Sequence, residues 1–252
     1  MVKLFIGTPA FDGRVHVAYS IALAETVLSL ASCTVGVQIH ITTAGSLLVA
    51  ERNRILKTFL ETDCTHILCV DSDIAWSYKD VKKFLDYDVD IVAACYLSRL
   101  DGKGFFLRPF YNPNQSVQLG PHNLIKAEYI PAGFMLIKRE VIEKMNAHFQ
   151  HLYFQPKIDS VNGQTGYLLF NTEIHDGEFW GEDYVFCRRV REAGIEILVD
   201  PHVVLDHAGN KGALIQGLTS NREEMMPNPF AVPASLEEPE LYLQAPKESE
   251  TP

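Results

Sequence analysis

At 252 residues the chain is long enough for one large domain or two small ones. It is 47% hydrophobic and 21% charged, as globular proteins are. Its 32 acids against 22 bases give a formal charge of −10, which excludes nucleic-acid binding through phosphate neutralisation for the chain as a whole.

Val2 to Gly7 reads as a short buried first strand, too short to be the apolar region of a signal peptide. Thr8 to Gly13 follows as a loop. Val15 to Ala31 has helical spacing, with Ile21, Ala24, Val27 and Leu28 on one face. Thr34 to Thr42 alternates as a second strand. Leu48 to Leu60 is a second helix, with Arg52-Asn53-Arg54 on its polar side. Ile67 to Val70 is a third strand, Tyr78 to Leu85 a third helix and Asp90 to Ala94 a fourth strand. This alternation predicts an α/β protein with a mostly parallel central sheet and helices on both faces.

The second half is less regular. Phe105 to Leu119 reads as a hairpin or an active-site loop. Leu124 to Ile130 and Phe134 to Ile137 are strands flanking Pro131-Ala132-Gly133, and Arg139 to Phe149 is a helix. Tyr153 to His175, polar and aromatic, is expected to be a flexible excursion. A helix is expected from about Tyr184 to Ala193, ended by Gly194, with short strands at 195–199 and 203–205. The division that follows is one domain over 1–210 and an extension over 211–252, mobile from about 227 where Pro and Glu accumulate.

No apolar stretch reaches 18 residues without charges or turn formers, so no integral membrane segment is expected. The five cysteines, at 33, 64, 69, 95 and 187, are odd in number and form no Cys-x-x-Cys. They read as buried free thiols of a reducing, cytoplasmic compartment rather than as a zinc site. No Gly-x-Gly-x-x-Gly follows the first strand, and no Gly-x-x-x-x-Gly-Lys occurs.

Three constellations carry possible chemistry. The first is Asp71-Ser72-Asp73, directly after the third strand. In an extended chain its two carboxylates share a face. They either grip a hard divalent ion that binds a diphosphate, or one of them caps the helix near Tyr78. The second is Gly181-Glu182-Asp183, opening a helix just after Trp180. The two acids either complement the helix dipole or supply a general base. Neighbours on a helix differ by about 100°, so both are not expected to face one pocket equally. The third is His207, at the end of Val203 to Leu205 and beside Ala208-Gly209, either a metal or phosphate ligand or a structural histidine.

Taken in order, these parts resemble the GT-A-fold glycosyltransferases. The family 2-like branch, with its small enzymes of large DNA viruses and phages, is the most similar. The resemblance spans about residues 3 to 209. Its more specific part is Gly181-Glu182-Asp183-Tyr184, then Arg188-Arg189 and Val199-Asp200-Pro201. It implies transfer of a sugar from a nucleotide-diphosphate sugar, a UDP-sugar above all, to a hydroxyl of a glycan or other acceptor, with inversion. It implies Mn²⁺ or Mg²⁺ on Asp71 and Asp73, the latter the more direct ligand, with His207 as a further ligand and Ser72 beside the diphosphate. Thr8, Pro9 and Asp12 would border the nucleoside, and Arg52 would lie near the base or phosphates. Ala132 and Gly133 would let the donor sugar approach the backbone. Trp180 and Glu182 would border the sugar substrates, and Asp183 would deprotonate the acceptor. The site of action would be the cytoplasm, the host's if the source is viral.

Two other readings compete. A sugar nucleotidyltransferase shares an α/β core but carries a Gly-rich loop with Arg and Lys after the first strand. Thr8 to Gly13 has one Gly and no Lys. A non-catalytic module binding a glycan or nucleotide sugar is the third reading.

Overall fold

The structure is a computed structural model that describes residues 1–43, 47–97, 105–114, 116–155, 165–175 and 177–214. Its first half comprises β1 (Lys3–Ala10), α1 (Val17–Ser32), β2 (Gly36–Thr43), α2 (Leu48–Leu60), β3 (His66–Val70), β4 (Ile74–Ala75), α3 (Tyr78–Tyr87), β5 (Ile91–Ala93) and β6 (Arg108–Pro109). After it come β7 (Ile125–Tyr129), β8 (Phe134–Lys138), α4 (Arg139–His148), β9 (Tyr153–Phe154), β10 (Gly166–Tyr167), β11 (Glu173–His175) and β12 (Glu178–Trp180). The last elements are α5 (Glu182–Glu192), β13 (Ile197–Val199), β14 (Leu205–His207) and β15 (Asn210–Gly212).

Eight strands form one sheet in the order β2-β1-β3-β8-β5-β13-β7-β6. β1 is parallel to β2 and β3, and β5 is parallel to β13. Only β8 and β7 run against their neighbours, so the other six strands point one way. The mostly parallel α/β architecture expected from the alternation is present. One face buries Phe5, Ile67 and Ile137 under Ile55 and Phe59 of α2, Ile142 of α4 and Phe186 of α5. The other buries Leu4, Ile6 and Leu68 under Tyr19 and Leu30 of α1 and Phe84 of α3. Strands covered on both faces read as the continuous apolar runs seen in the sequence.

Several expectations need correction. β1 continues through Thr8 and Pro9 to Ala10, because β2 pairs with it all the way, Pro9 opposite Thr42. The polar side of α2 is not solvated: Arg52 and Asn53 are buried beneath the segment that ends at Phe170. At the ends of the 153–175 stretch β9 pairs with β10 and β11 with β12, while residues 156–164 of the expected excursion lie outside the described residues. α5 begins at Glu182 rather than Tyr184. The late strand is Leu205–His207, held with β15 and β4 in a small sheet of its own. Of the five cysteines Cys33 is exposed, while the other four are buried and free. The described residues end at Leu214, so the rest of the expected 211–252 extension lies outside them.

Candidate active site

The site forms where β3 ends. The β3–β8 ladder runs to Val70 opposite Phe134 and is extended by Asp71 N–H donating to the Gly133 carbonyl at 3.0 Å. The antiparallel insertion of β8 therefore sets Ala132-Gly133 beside the acidic motif. Beyond Asp71 the chain turns rather than staying extended. Ile74 N–H returns to the Asp71 carbonyl at 3.1 Å. The Ser72 carbonyl accepts from His16 N–H at 2.8 Å, and the Asp73 carbonyl from Ala208 N–H at 2.9 Å. A turn fixed by bonds from three separate segments holds its side chains in place, but without strand alternation. Neither aspartate caps α3; Ser77 does, accepting from Lys79 N–H at 3.3 Å.

Beneath this turn lies Arg52, its side chain 4% exposed. Its guanidinium meets Asp71 at 3.0 Å, Glu182 at 3.6 Å and Asp183 at 3.7 Å, and donates to the Ala132 carbonyl at 3.4 Å. Three carboxylates thus share one buried cation. Burial works against that charge, but Asp71, Asp183 and Glu182 together raise Arg52 above its ordinary value. Glu182 and Asp183 both reach it, contrary to the 100° expectation, because Glu182 is one methylene longer and Arg52 lies between them. Arg52 in turn rests over the Phe170 ring, 5.6 Å from its centroid. Phe170 stacks on Phe186 at 4.2 Å and 5°. Asn53 pins it by donating to the Phe170 carbonyl at 2.8 Å and accepting its N–H at 3.0 Å.

Asp183 is the least satisfied member. Its side chain is 20% exposed, yet Oδ1 is buried without a hydrogen-bond partner. Burial pushes its carboxyl up to about 7; Arg52 and the Ala132 backbone N–H pull it down, whereas Glu182 and Asp71 push it further up. A carboxylate poised near neutral pH suits a general base.

On the other side of the turn, β14 pairs with β4 so that His207 lies opposite Ile74. His207 Nδ1 bonds the Leu97 carbonyl at 2.8 Å, which requires a proton on that nitrogen and turns Nε2 toward Asp73 at 3.6 Å. Burial lowers His207, but Asp73 and the Leu97 carbonyl outweigh it and raise it net. Tyr96 packs edge-on to His207 at 4.9 Å. Burial, with Asp71 and Asp183 nearby, raises the Tyr96 phenol well above its usual value, so it stays protonated.

The remaining residues singled out in the sequence fall as follows. Thr8 is buried in β1, its hydroxyl 2.7 Å from that of Tyr19. Asp12 is exposed and accepts from Arg14 N–H at 3.1 Å. A Cβ on Gly133 would come within 2.4 Å of the Tyr96 hydroxyl and 2.6 Å of Asp71 Oδ2. The missing side chain at Gly133 is what lets Tyr96 and Asp71 close over it. Trp180 is held edge-on to Tyr129 at 5.3 Å and tilted against His175 at 4.6 Å. Sequence reasoning missed Tyr96, Asn53 and Phe170. Only Tyr96 left a signal, as a polar-tipped aromatic just past the end of a buried strand.

No group of three or more His, Cys, Asp or Glu side chains arranged for a metal occurs among the described residues. Asp71 is engaged by Arg52, which leaves Asp73 and His207. Mg²⁺-type sites commonly use one or two protein ligands and complete their shell with substrate phosphates and water. An oxygen ligand beside an imidazole whose other nitrogen is fixed by a carbonyl fits such an ion. Burial pushes the Cys69 and Cys187 thiols up to about 12, so neither is a nucleophile. Two apolar depressions lie elsewhere, one lined by α2, α4, β9 and β10 and one between α1 and β2.

No protein-family model and no curated protein matches the chain. Solved structures do. S. aureus TarS 1-349 in complex with UDP-GlcNAc is 15% identical, with a TM-score of 0.43, covering 79% of this chain and 56% of that one. Drosophila β1,4-galactosyltransferase 7, with manganese, UDP-Gal and xylobiose, is 16% identical with a TM-score of 0.40, covering 80% and 66%. A nucleoside-diphosphate-sugar pyrophosphorylase from Vibrio cholerae is 10% identical with a TM-score of 0.42, covering 82% and 95%. The chain thus spans less than two thirds of the two transferases.

Proposed function

We propose that the chain is a metal-dependent, inverting glycosyltransferase that uses a UDP-sugar. The observation that carries this reading is the separation of two acidic stations by Arg52 and Asp71. On one side, Asp73 and His207 Nε2 stand 3.6 Å apart with the histidine tautomer set. On the other, Asp183 has a buried, unbonded oxygen and a carboxyl at about 7.

Asp73 and His207 would hold Mn²⁺ or Mg²⁺, and Ser72 would border the donor diphosphate. A divalent ion there supplies positive charge to the departing nucleoside diphosphate. Asp183 takes the proton of the acceptor hydroxyl. The acceptor oxygen bonds the anomeric carbon as the bond from that carbon to the diphosphate oxygen breaks on the opposite face. Arg52 sits closest to Asp71, at 3.0 Å, and Asp183 keeps an oxygen without a hydrogen bond to take the acceptor proton. Arg52 of α2 meets the first-turn acids of α5 and sets a positive charge among them. The loop after β1, without lysine, gives no support to nucleotidyl transfer.

The test is product identity. Incubated with Mn²⁺ and UDP-glucose, UDP-galactose or UDP-GlcNAc, the protein should release UDP from at least one, and EDTA should stop it. Pyrophosphate release from UTP and a sugar 1-phosphate, without UDP release from any donor, would overturn the proposal.

A further inference from the structure

Helix α1 has more apolar surface than its own fold uses. Tyr19, Ala22 and Leu30 face the core. A second stripe, Val17, Ile21, Ala24 and Leu28, repeats at intervals of four, three and four and faces outward. Val17 is 72%, Ile21 56% and Leu28 75% exposed. The only charged residue in the helix is Glu25. Such spacing is that of a helix packed against another helix. Between α1 and β2 runs a depression of about 520 Å³, with Ile39 and Ile41 of β2 on its wall.

β2 is the edge of the eight-stranded sheet, and among the described residues nothing pairs with its outer side. Its eight residues, GVQIHITT, contain no Lys, Arg, Asp, Glu or Pro. Native edges are normally blunted by charge, proline or a bulge. An uncharged edge strand beside an outward apolar helix stripe is a surface in want of a strand and a helix together.

We propose that a second copy of this chain supplies both. Across a two-fold axis, β2 pairs antiparallel with β2 of the partner, and α1 packs beside the partner's α1. The dimensions agree. Strands in a sheet are about 4.8 Å apart. α1 covers β1 and β2, so the two helices would stand two or three strand spacings apart, roughly 10–14 Å. Helices are about 10–12 Å across with their side chains, so Leu28 and its neighbours would meet over the paired strands. β2 is about 27 Å long and α1 about 24 Å, so strand and helix end together. Charge points the same way. Two copies at −10 repel across most of their surface, and this face carries only Glu25 in α1 and no charge in β2.

The test uses the full chain. Sedimentation equilibrium should give twice the chain mass for the wild type, and Leu28→Glu should halve it. Leu28 is solvent-exposed in the monomer, so this variant should melt at the wild-type temperature of the dissociated protein. Ile174→Glu, on the exposed β11–β12 hairpin, should leave the mass unchanged. Hydrogen exchange should find alternate amides of 36–43 protected in the wild type and exchanging freely in Leu28→Glu. A wild-type monomer at every concentration, a Leu28→Glu dimer, or a dimer whose β2 amides exchange as fast as the variant's would each overturn the proposal.

Discussion

Asp183 and Asp200 are both acids set against this sheet, the first half-buried and the second buried, and they differ in what surrounds them. Asp200 is 1% exposed and fully engaged. It accepts from the Tyr87 hydroxyl at 2.9 Å and from His202 N–H at 2.9 Å, and it pairs with Lys83. Those bonds tie α3 to the segment after β13. Asp183 shares its one nearby cation with two other carboxylates and leaves an oxygen unbonded. An acid whose capacity is used up holds a fold together, whereas one with capacity left over can take a proton. Burial costs both, but only at Asp183 is the cost left uncompensated.

The largest effect that would break this contrast is on turnover. Asp183→Asn should cut transfer by about 10²–10⁴ while the protein stays folded, as expected for loss of a general base. Its pH behaviour follows from the sign of the shift. The folded carboxyl, at about 7, lies above the unfolded value of about 3.9. The folded state thus binds the proton more tightly, and stability falls as pH rises through that window. Thermal melts should show Asp183→Asn more stable than wild type above pH 7 and close to it below pH 4. The wild-type rate should rise with pH through about 7.

Next in size is Arg52→Met, which leaves three carboxylates around no cation. A loss of about 3–5 kcal/mol is expected in denaturant titration. Asp200→Asn should cost less, about 1–3 kcal/mol, because the Tyr87 and His202 bonds can persist. Its turnover per folded molecule should be unchanged; a loss of activity in folded Asp200→Asn would erase the distinction drawn between the two acids. Smallest is Tyr96→Phe, which removes a hydroxyl from above Gly133. About 1 kcal/mol, or roughly fivefold in transfer rate, is expected.

The strands and helices up to β5 were legible, since buried parallel strands and helices both leave strong periodicity, but in α1 the face at Ile21 and Leu28 is the exposed one and Tyr19, Ala22 and Leu30 face the core. Strand direction leaves none, so nothing in Phe134 to Lys138 announced that β8 would run against β3 and carry Gly133 to Asp71. Arg52 read as part of the polar side of its helix, and the period of a helix cannot tell a buried polar face from an exposed one. What buries it includes Phe170, 117 residues from the Asn53 that anchors it. Asp73 and His207 were each visible as residues at the end of an apolar run. Their approach depends on β14 pairing with β4, a strand of two residues too short to give a pattern.

In the proposed enzyme Asp73 and His207 bring a cation to the diphosphate of the donor. Calorimetric titration of UDP into the wild type and Asp73→Asn, with and without Mn²⁺, tests it most directly. Mn²⁺ should tighten UDP binding to the wild type by about 10- to 100-fold, and Asp73→Asn should abolish that gain. Equal affinity with and without Mn²⁺, or a gain that survives in Asp73→Asn, would contradict it.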